Sequence, residues 1–297
     1  MLTFLKYINI IRKFRSLKII VFTKFVKTVA YFKTYFLVRK YCVKKITCPN
    51  CGNINKLIKY RFDRNFLPIN GYQCKKCLLG WNSPFPTRKF SEIFYSSGLY
   101  RQLYKGEKQA RKLSYDYGDF KSRIFKTILD KYIKKEFKNI NGQISVLDYG
   151  CGAGTIIQEI KNSNVSFECY GFEPGSAMNK KLIKNVSIIN LDQLSKLSFN
   201  LITSFHVLEH IPEYKEVFQM LSNCLKEEGI LYLELPIINN YFSRHQWHVA
   251  HPIHYSKESI FSLIEANNLK LIKVFDEKNL LFSPKTALGF LCKKVNL

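Results

Sequence analysis

Four groups of residues in this chain have types and spacings that can do chemistry. "CPNCG" (Cys48–Gly52) and "YQCKKC" (Tyr72–Cys77) form two Cys-x-x-Cys pairs 22 residues apart. "VLDYGCGAG" (Val146–Gly154) runs a strand-like stretch into three glycines. "YGFEP" places Glu173 about twenty residues beyond that loop. The six histidines fall into two groups, His206 and His210 in "HVLEHI", then His245, His248, His251 and His254 in "SRHQWHVAHPIHYS".

The cysteine pairs read as a metal site. Each pair suits a tight turn, and a short hairpin between them brings four thiolates to the corners of a tetrahedron. Zinc prefers that closed arrangement for a structural role. A unit of roughly 40 residues buries too little surface to fold alone, so bound Zn2+ supplies the missing energy. The expected ligands are Cys48, Cys51, Cys74 and Cys77. Four protein ligands leave no open position for catalysis. No secretory signal pattern opens the sequence, so a reducing, cytoplasmic setting is expected, where clustered cysteines bind metal rather than pair.

The glycine loop is expected at the carboxyl end of a first strand, where an α/β sheet binds its ligand. A dinucleotide fingerprint would read G-x-G-x-x-G, but Gly150, Gly152 and Gly154 read G-x-G-x-G and Thr155 stands at the closing position. No Gly-Lys-Ser or Gly-Lys-Thr phosphate loop is present. Asp148 is a poor neighbour for pyrophosphate and a good one for positive charge. Glu173, ending the next strand, can accept hydrogen bonds from both hydroxyls of a ribose. Ribose plus a cationic group without phosphate describes S-adenosylmethionine (SAM). Bare backbone at the glycines would then admit its methionine half.

These motifs resemble the class I SAM-dependent methyltransferases. The likeness rests on Asp148-x-Gly150-x-Gly152-x-Gly154, on Glu173, on "HVLEHI" at His206–Ile211 and on "GILYLELP" at Gly229–Pro236, and it covers about residues 140–297. Asn200 stands where the family more often has Asp. The resemblance implies a Rossmann-like, seven-stranded, mostly parallel sheet with helices on both faces. It implies cofactor contacts from the loop with Cys151, from Glu173 and Pro174, and from Phe205 and His206 at the end of the fourth strand. Asp192 is expected to meet the adenine amino group or to cap a helix. The cysteine ribbon, "PFP" at Pro84–Pro86, the tyrosine-rich run to Tyr104 and "HPIHYS" at His251–Ser256 are similar to a bacterial subgroup with a zinc ribbon ahead of the methyltransferase. That subgroup implies modification of surface polysaccharides or sugar nucleotides.

Methyl transfer from a sulfonium is an in-line displacement that needs alignment and exclusion of water. A hydroxyl acceptor must also lose a proton, a task histidine commonly serves. His206, His251 and His254 are the catalytic candidates. Glu209 and His210 are expected to brace their loop through hydrogen bonds. Trp247 could stack on a sugar ring. No carboxylate stands near the histidine-rich stretch in sequence, which argues against a second metal site there.

The elements that must position these residues follow from periodicity. Strand runs at Ile144–Leu147, Phe167–Phe172, Leu201–Ser204, Ile230–Leu235, Leu269–Phe275 and Ala287–Lys293 alternate with helical patterns at Thr155–Asn162, Ala177–Ile183, Tyr214–Lys226 and Lys257–Asn267. This alternation predicts an α/β fold with a largely parallel sheet. The short link between the last two strands favours an antiparallel pair. Four units are expected: a basic amphipathic segment at 1–45, a zinc ribbon at 46–90, a helical connector at 91–140 and the methyltransferase at 141–297.

Charge bears on partners. The chain carries a formal net charge of +25, and its first 62 residues hold fifteen Lys and Arg with no Asp or Glu. Such an arm suits anionic partners, whether nucleic acid, lipid headgroups or sugar phosphates. In residues 1–45 polar positions Lys6, Asn9, Lys13, Ser16, Lys24, Lys27 and Thr34 recur at near-helical spacing. Such a helix can lie on the inner face of a membrane or pack on the protein's own body. Lysines interrupt it too often for a membrane span. Two acceptor classes stay open, a small sugar-type molecule and nucleic acid. A purely binding module would need a spoiled loop, and this one is intact.

Overall fold

The computed structural model describes residues 24–104, 122, 124–140, 142–163, 166–173, 186–241, 246–276 and 286–295. The chain opens there with helix α1 over 24–41, then short strand β1 (Cys42–Val43). The cysteine ribbon follows as β2 (Lys56–Tyr60), β3 (Asn70–Cys74) and β4 (Gly80–Ser83). Strand β5 (Phe85–Pro86) pairs with β1 and leads into α2 (Arg88–Ser96) and α3 (Leu99–Tyr104). Helix α4 spans 124–137, widening from α to π geometry over Leu129–Ile133 and then tightening to 3-10 over Lys134–Phe137.

The α/β part then runs β6 (Ile144–Tyr149), α5 (Thr155–Lys161), β7 (Phe167–Phe172), β8 (Ser187–Ile188), α6 (Leu191–Leu194), β9 (Phe199–Phe205), α7 (Tyr214–Asn223) and β10 (Leu225–Pro236). It closes with β11 (Ile253–His254), α8 (Lys257–Ala266), β12 (Leu269–Phe275) and β13 (Ala287–Lys294). Seven of these strands form one sheet in the order β12-β13-β10-β9-β6-β7-β8. The pairs from β8 to β10 are parallel, and β13 runs antiparallel to both neighbours. The expected short link therefore joins an antiparallel pair.

Side chains alternate across this sheet with the period of two that strand geometry imposes. Leu147, Ile202, Leu231 and Leu233 enter the layer with α7 and α8, beside Phe218, Leu221, Ile260 and Leu263. Val146, Leu201, Ile230 and Tyr232 enter the opposite layer with Phe125 and Ile128 of α4 and Ile156 and Ile160 of α5. Every residue of β6 is buried, as befits a strand covered on both faces. Asn200 also gains a reason. Its Oδ1 accepts from Ser145 N, Ser145 Oγ and Lys226 Nζ, tying β6, β9 and the start of β10 together where an Asp would bring a buried charge.

Two boundaries differ from expectation. Helix α7 stops at Asn223 because β10 begins at Leu225 and accommodates "KEEG" in a bulge before Ile230. The helical pattern at Ala177–Ile183 lies outside the described residues, as do residues 1–23 of the basic segment. The ribbon is not a separate unit ending at residue 90. Its sheet runs β11-β4-β3-β2, so Ile253–His254 from the far end of the chain supplies its fourth strand. The ribbon's Cys48, Cys74, Leu79 and Trp81 belong to the same apolar cluster as the α7–α8 layer.

Helix α1 packs on the protein's own body. Ala30 and Val38 are buried with Phe90, Phe94, Leu99 and Leu103 of α2 and α3. No helix among the described residues is long and apolar enough to cross a membrane.

Candidate active site

The glycine loop leaves β6 at Tyr149 and is pinned to the end of β7, with Gly150 N and Cys151 N both donating to Phe172 O at 2.7 and 3.0 Å. Each glycine takes positive φ, at 78°, 52° and 78° for Gly150, Gly152 and Gly154. Their surroundings differ. A Cβ on Gly150 would overlap the side chain of Val207, whereas one on Gly152 would meet nothing within 4 Å. Gly154 is the N-cap of α5 in left-handed geometry. Open space beside the loop thus lies at Gly152, while Gly150 presents its backbone to the cavity described below. Gly150 is demanded by backbone sign and by Val207. Cys151 turns its sulfur onto the position where Gly171 lacks a side chain and offers only its backbone.

Two carboxylates serve this loop. Glu173 Oε2 accepts from Gly152 N at 3.0 Å. Asp148 lies beneath, 2 % exposed, and accepts from Thr203 Oγ1 at 2.9 Å. Burial, only partly offset by the Thr203 bond, pushes Asp148 up to about 7. A buried carboxyl held this way gains from a nearby cation.

At the end of β9, His206 has φ of 55°, a conformation a side-chain-bearing residue adopts only when its surroundings enforce it. Three contacts do so. Its N–H donates to Glu234 O, its Nε2 meets Glu234 Oε1 at 3.2 Å, and its Nδ1 meets Glu209 Oε1 at 3.1 Å. Both ring nitrogens are thus committed to carboxylate oxygens. His206 is placed to hold charge and shape rather than to act as the expected base. Burial pushes Glu209 up, yet the hydrogen bond from His206 and the attraction of His206 and His210 outweigh it, and the carboxyl sits below its ordinary range.

A cavity of about 400 Å³ joins these parts. Tyr149, Gly150, Glu173, Phe205 and His206 line one side. Tyr95 and Tyr100 line the other, with Arg88, Glu92 and Arg101. His210 lines it as well, and its bonds are informative. Nδ1 lies 2.7 Å from Ala250 O and 2.8 Å from Tyr95 Oη. A carbonyl only accepts, so Nδ1 carries the hydrogen and Nε2 keeps its lone pair. Glu209 and His210 do brace their loop, as expected.

The other histidine candidates are placed differently. His254 is fully buried in β11, with Nδ1 3.0 Å from Tyr241 Oη and Nε2 3.3 Å from Asn82 Oδ1. Burial pushes it down to about 3. It does not line the cavity. It ties the ribbon to β11, which corrects its catalytic assignment. Trp247 likewise is 3 % exposed and fills the space left by Gly71 and Gly80, so it is core rather than a stacking platform. His251 lies behind His210, ring centroids 4.5 Å apart, and does not line the cavity itself. Asp192 is exposed in the first turn of α6 and away from the cavity, and the helix cap is Asn190 instead. Pro174 and His245 lie outside the described residues.

In the ribbon, the four sulfurs of Cys48, Cys51, Cys74 and Cys77 lie within 4.8 Å of one another. Cys48–Cys77 and Cys51–Cys74 are 3.5 and 3.6 Å apart. Zinc–sulfur bonds of about 2.3 Å in a tetrahedron put sulfurs about 3.8 Å apart, so the cluster fits that ion. Lys76 N and Cys77 N point at Cys74 Sγ, at 3.3 and 3.5 Å, as donors that stabilise a thiolate. The hydrogen bond from Cys48 pulls Cys77 down to about 5.

The sequence of residues 111–274, more than half of the chain, matches the family described as "Methyltransferase domain". The chain belongs to that methyltransferase family. Solved structures share the fold. The plantazolicin methyltransferase BpumL in complex with SAH (S-adenosylhomocysteine) is 14 % identical, with 70 % of this chain and 97 % of that one covered and a TM-score of 0.51. The same enzyme with a monoazolic desmethylPZN analog and SAH gives 14 %, the same coverage and 0.50. A SAM-dependent methyltransferase from Archaeoglobus fulgidus gives 18 %, 58 % and 94 % coverage, and 0.44. No curated protein matches.

This methyltransferase is a SAM-dependent enzyme of class I, and its loop suits that cofactor. The open face at Gly152 and the two carboxyl groups of Asp148 and Glu173 match a ligand that carries cationic groups and ribose hydroxyls. When bound, SAM supplies an electrophilic methyl group. Sequence reasoning missed Glu234, Asn82, Tyr95 and Asp63. Asn82 Nδ2 holds the carbonyls of His248 and His251, and Asp63 Oδ2 holds Val249 N. Local signals existed only in the "LELP" motif around Glu234 and in the tyrosine-rich run that contains Tyr95.

Proposed function

We propose that this methyltransferase methylates a hydroxyl of a small glycosyl or sugar-nucleotide acceptor, of the surface-polysaccharide type. The observation that carries this reading is one cavity in which Gly150 and Glu173 face Tyr95, Tyr100 and two arginines. Aromatic faces suit the apolar face of a sugar ring, and Arg88 and Arg101 suit a phosphate tail. Asp148, Gly150, Cys151, Gly152, Gly154 and Glu173 would hold the cofactor, with Phe205 and His206 closing its reactive end. The acceptor oxygen forms a bond to the methyl carbon as the carbon–sulfur bond breaks, the electron pair staying on sulfur. The hydroxyl proton must leave to a group with a free lone pair. Both ring nitrogens of His206 are committed to carboxylates, whereas His210, whose bonds run through Nδ1, lines the cavity.

The ribbon would hold structural zinc and fix the acceptor-side wall. Residues 24–41 also expose Phe25, Phe32 and Phe36 beside Lys24 and Lys33, which supports contact with the inner face of a membrane. Nucleic acid is the second reading, favoured by the fifteen basic residues before Asp63. Incubation with SAM and separate pools of sugar nucleotides and RNA, read by mass spectrometry, tests both. A gain of one methylene on a sugar nucleotide is the expected result. Methylated RNA with unmodified sugar nucleotides would overturn it.

A further inference from the structure

Behind the cavity wall lies a second set of side chains. One carboxylate oxygen of Glu209 and one ring nitrogen each of His210 and His251 lie within 4.8 Å of one another. They come from the turn after β9 and from the loop before β11, and so escaped a sequence reading that looked for a nearby carboxylate. Glu209 is fully buried, and its Oε2 has no hydrogen-bond partner among the described residues. His251 Nδ1 and His248 Nδ1 are also buried and unpartnered. The His248 and His251 rings stack with centroids 3.8 Å apart.

Orphaned acceptors of this kind are costly, about 1–3 kcal/mol each and more for a charged group. Hydrogen bonds between the three groups would offset this, and none forms. Around each ligand, however, a supporting partner is in place. His206 holds Glu209 through the other carboxylate oxygen. Ala250 O and Tyr95 Oη hold His210 through Nδ1, fixing the tautomer whose Nε2 lone pair is free. Asn82 anchors the backbone of His248 and His251. The carbonyl of Ala250 behind His210 is the arrangement that orients a metal-binding imidazole, while His251 is held through its backbone. Arg64, the neighbouring cation, is engaged over the Tyr104 ring, 4.0 Å from its centroid.

We propose that Glu209, His210 and His251 bind a divalent first-row transition-metal ion at the edge of the acceptor cavity. Two imidazoles and one carboxylate leave positions open for oxygen ligands, a donor set suited to ions such as Mn2+, Fe2+ and Zn2+ rather than Mg2+. The ion would bind the acceptor's hydroxyl oxygen, orient it and favour loss of its proton. This role rests on the methyl-transfer reading above; with the ion bound, His210 serves as its ligand and the hydroxyl proton passes to solvent water instead of to His210. The binding of the ion itself does not depend on that reading.

The test uses the full chain with its cysteine site zinc-loaded, titrated with Mn2+ in the absence of SAM and acceptor. Electron paramagnetic resonance counts bound Mn2+, and the expected result is one ion per chain beyond the zinc. Binding should weaken at least tenfold in Glu209→Gln and in His251→Asn, with melting curves showing that both variants fold. Should either variant fail to fold, nitrogen couplings from histidine in the pulsed spectrum of wild-type-bound Mn2+ decide. Their presence supports the site. No bound Mn2+, binding unchanged in the folded variants, or no nitrogen coupling overturns it. SAM is titrated separately into the same preparation. Failure there breaks the methyl-transfer reading and leaves the ion site standing, and the converse result breaks only the ion site.

Discussion

From Asp148 to Gly154 the site is written in consecutive residues and works through backbone. Across the cavity, Tyr95, Glu209, His210 and Ala250 are brought together from distant segments and work through side chains. The first region needs only a strand, a turn and a helix to exist. The second exists only if the ribbon, α2 and the histidine loop are all docked. Cofactor binding should therefore survive damage that abolishes acceptor chemistry.

The harshest way to break that contrast is to remove the ribbon's metal. Cys74→Ser, or a strong chelator, should forfeit folding energy on the scale of about 10 kcal/mol that structural zinc supplies. Acceptor turnover should vanish while calorimetry still detects SAM binding within about threefold, since no more than about 0.7 kcal/mol should reach the loop. Equal loss of both would show that the two regions are one.

Gly150→Ala strikes the other side. Positive φ and the overlap with Val207 together should cost about 2–5 kcal/mol, visible as a lower melting temperature with zinc content intact. A milder cut is Glu173→Ala, expected to weaken SAM by about 10- to 100-fold through loss of a charged hydrogen-bond acceptor, with a smaller drop in melting point than Gly150→Ala from the lost bond to Gly152 N.

The smallest effect is graded by pH. The folded pKa of Asp148 is raised to about 7, so its neutral form is favoured. Its stabilising contribution to the free protein is fully present below the unfolded value of 3.8 and is lost as pH rises through about 7. A cationic ligand reverses the preference. SAM affinity should rise up to about tenfold per unit towards pH 7 and level off above it. Asp148→Asn should flatten that profile, and a flat profile in the wild type would remove Asp148 from cofactor binding.

What was legible in the sequence follows the same division. Strand periods, the glycine spacing and the cysteine pairs are local patterns, and they located the sheet, the loop and the thiolate cluster. The role of each glycine was not legible, because Val207 fills the space over Gly150 from 57 positions along the sequence. Nor was the burial of His254 and Trp247, whose polar-and-aromatic stretch looks like a lid until Asn82, Gly71 and Gly80 close over it. The Glu209–His251 approach was hidden for the same reason: nothing local links a turn after β9 to a loop before β11.

The pairing of β11 with β4 has a consequence for descent. A ribbon joined only by a linker could be exchanged between proteins as a cassette, carrying its recognition surface with it. Here the cassette is missing a strand unless Ile253–His254 travels too, and those residues lie some 170 positions downstream. Shuffling at the obvious linker would leave Gly80 and Trp81 with a bare edge open to intermolecular pairing. The two parts are thus bound to drift together, and a change of acceptor would have to arise by point substitution within the joined wall rather than by trading ribbons.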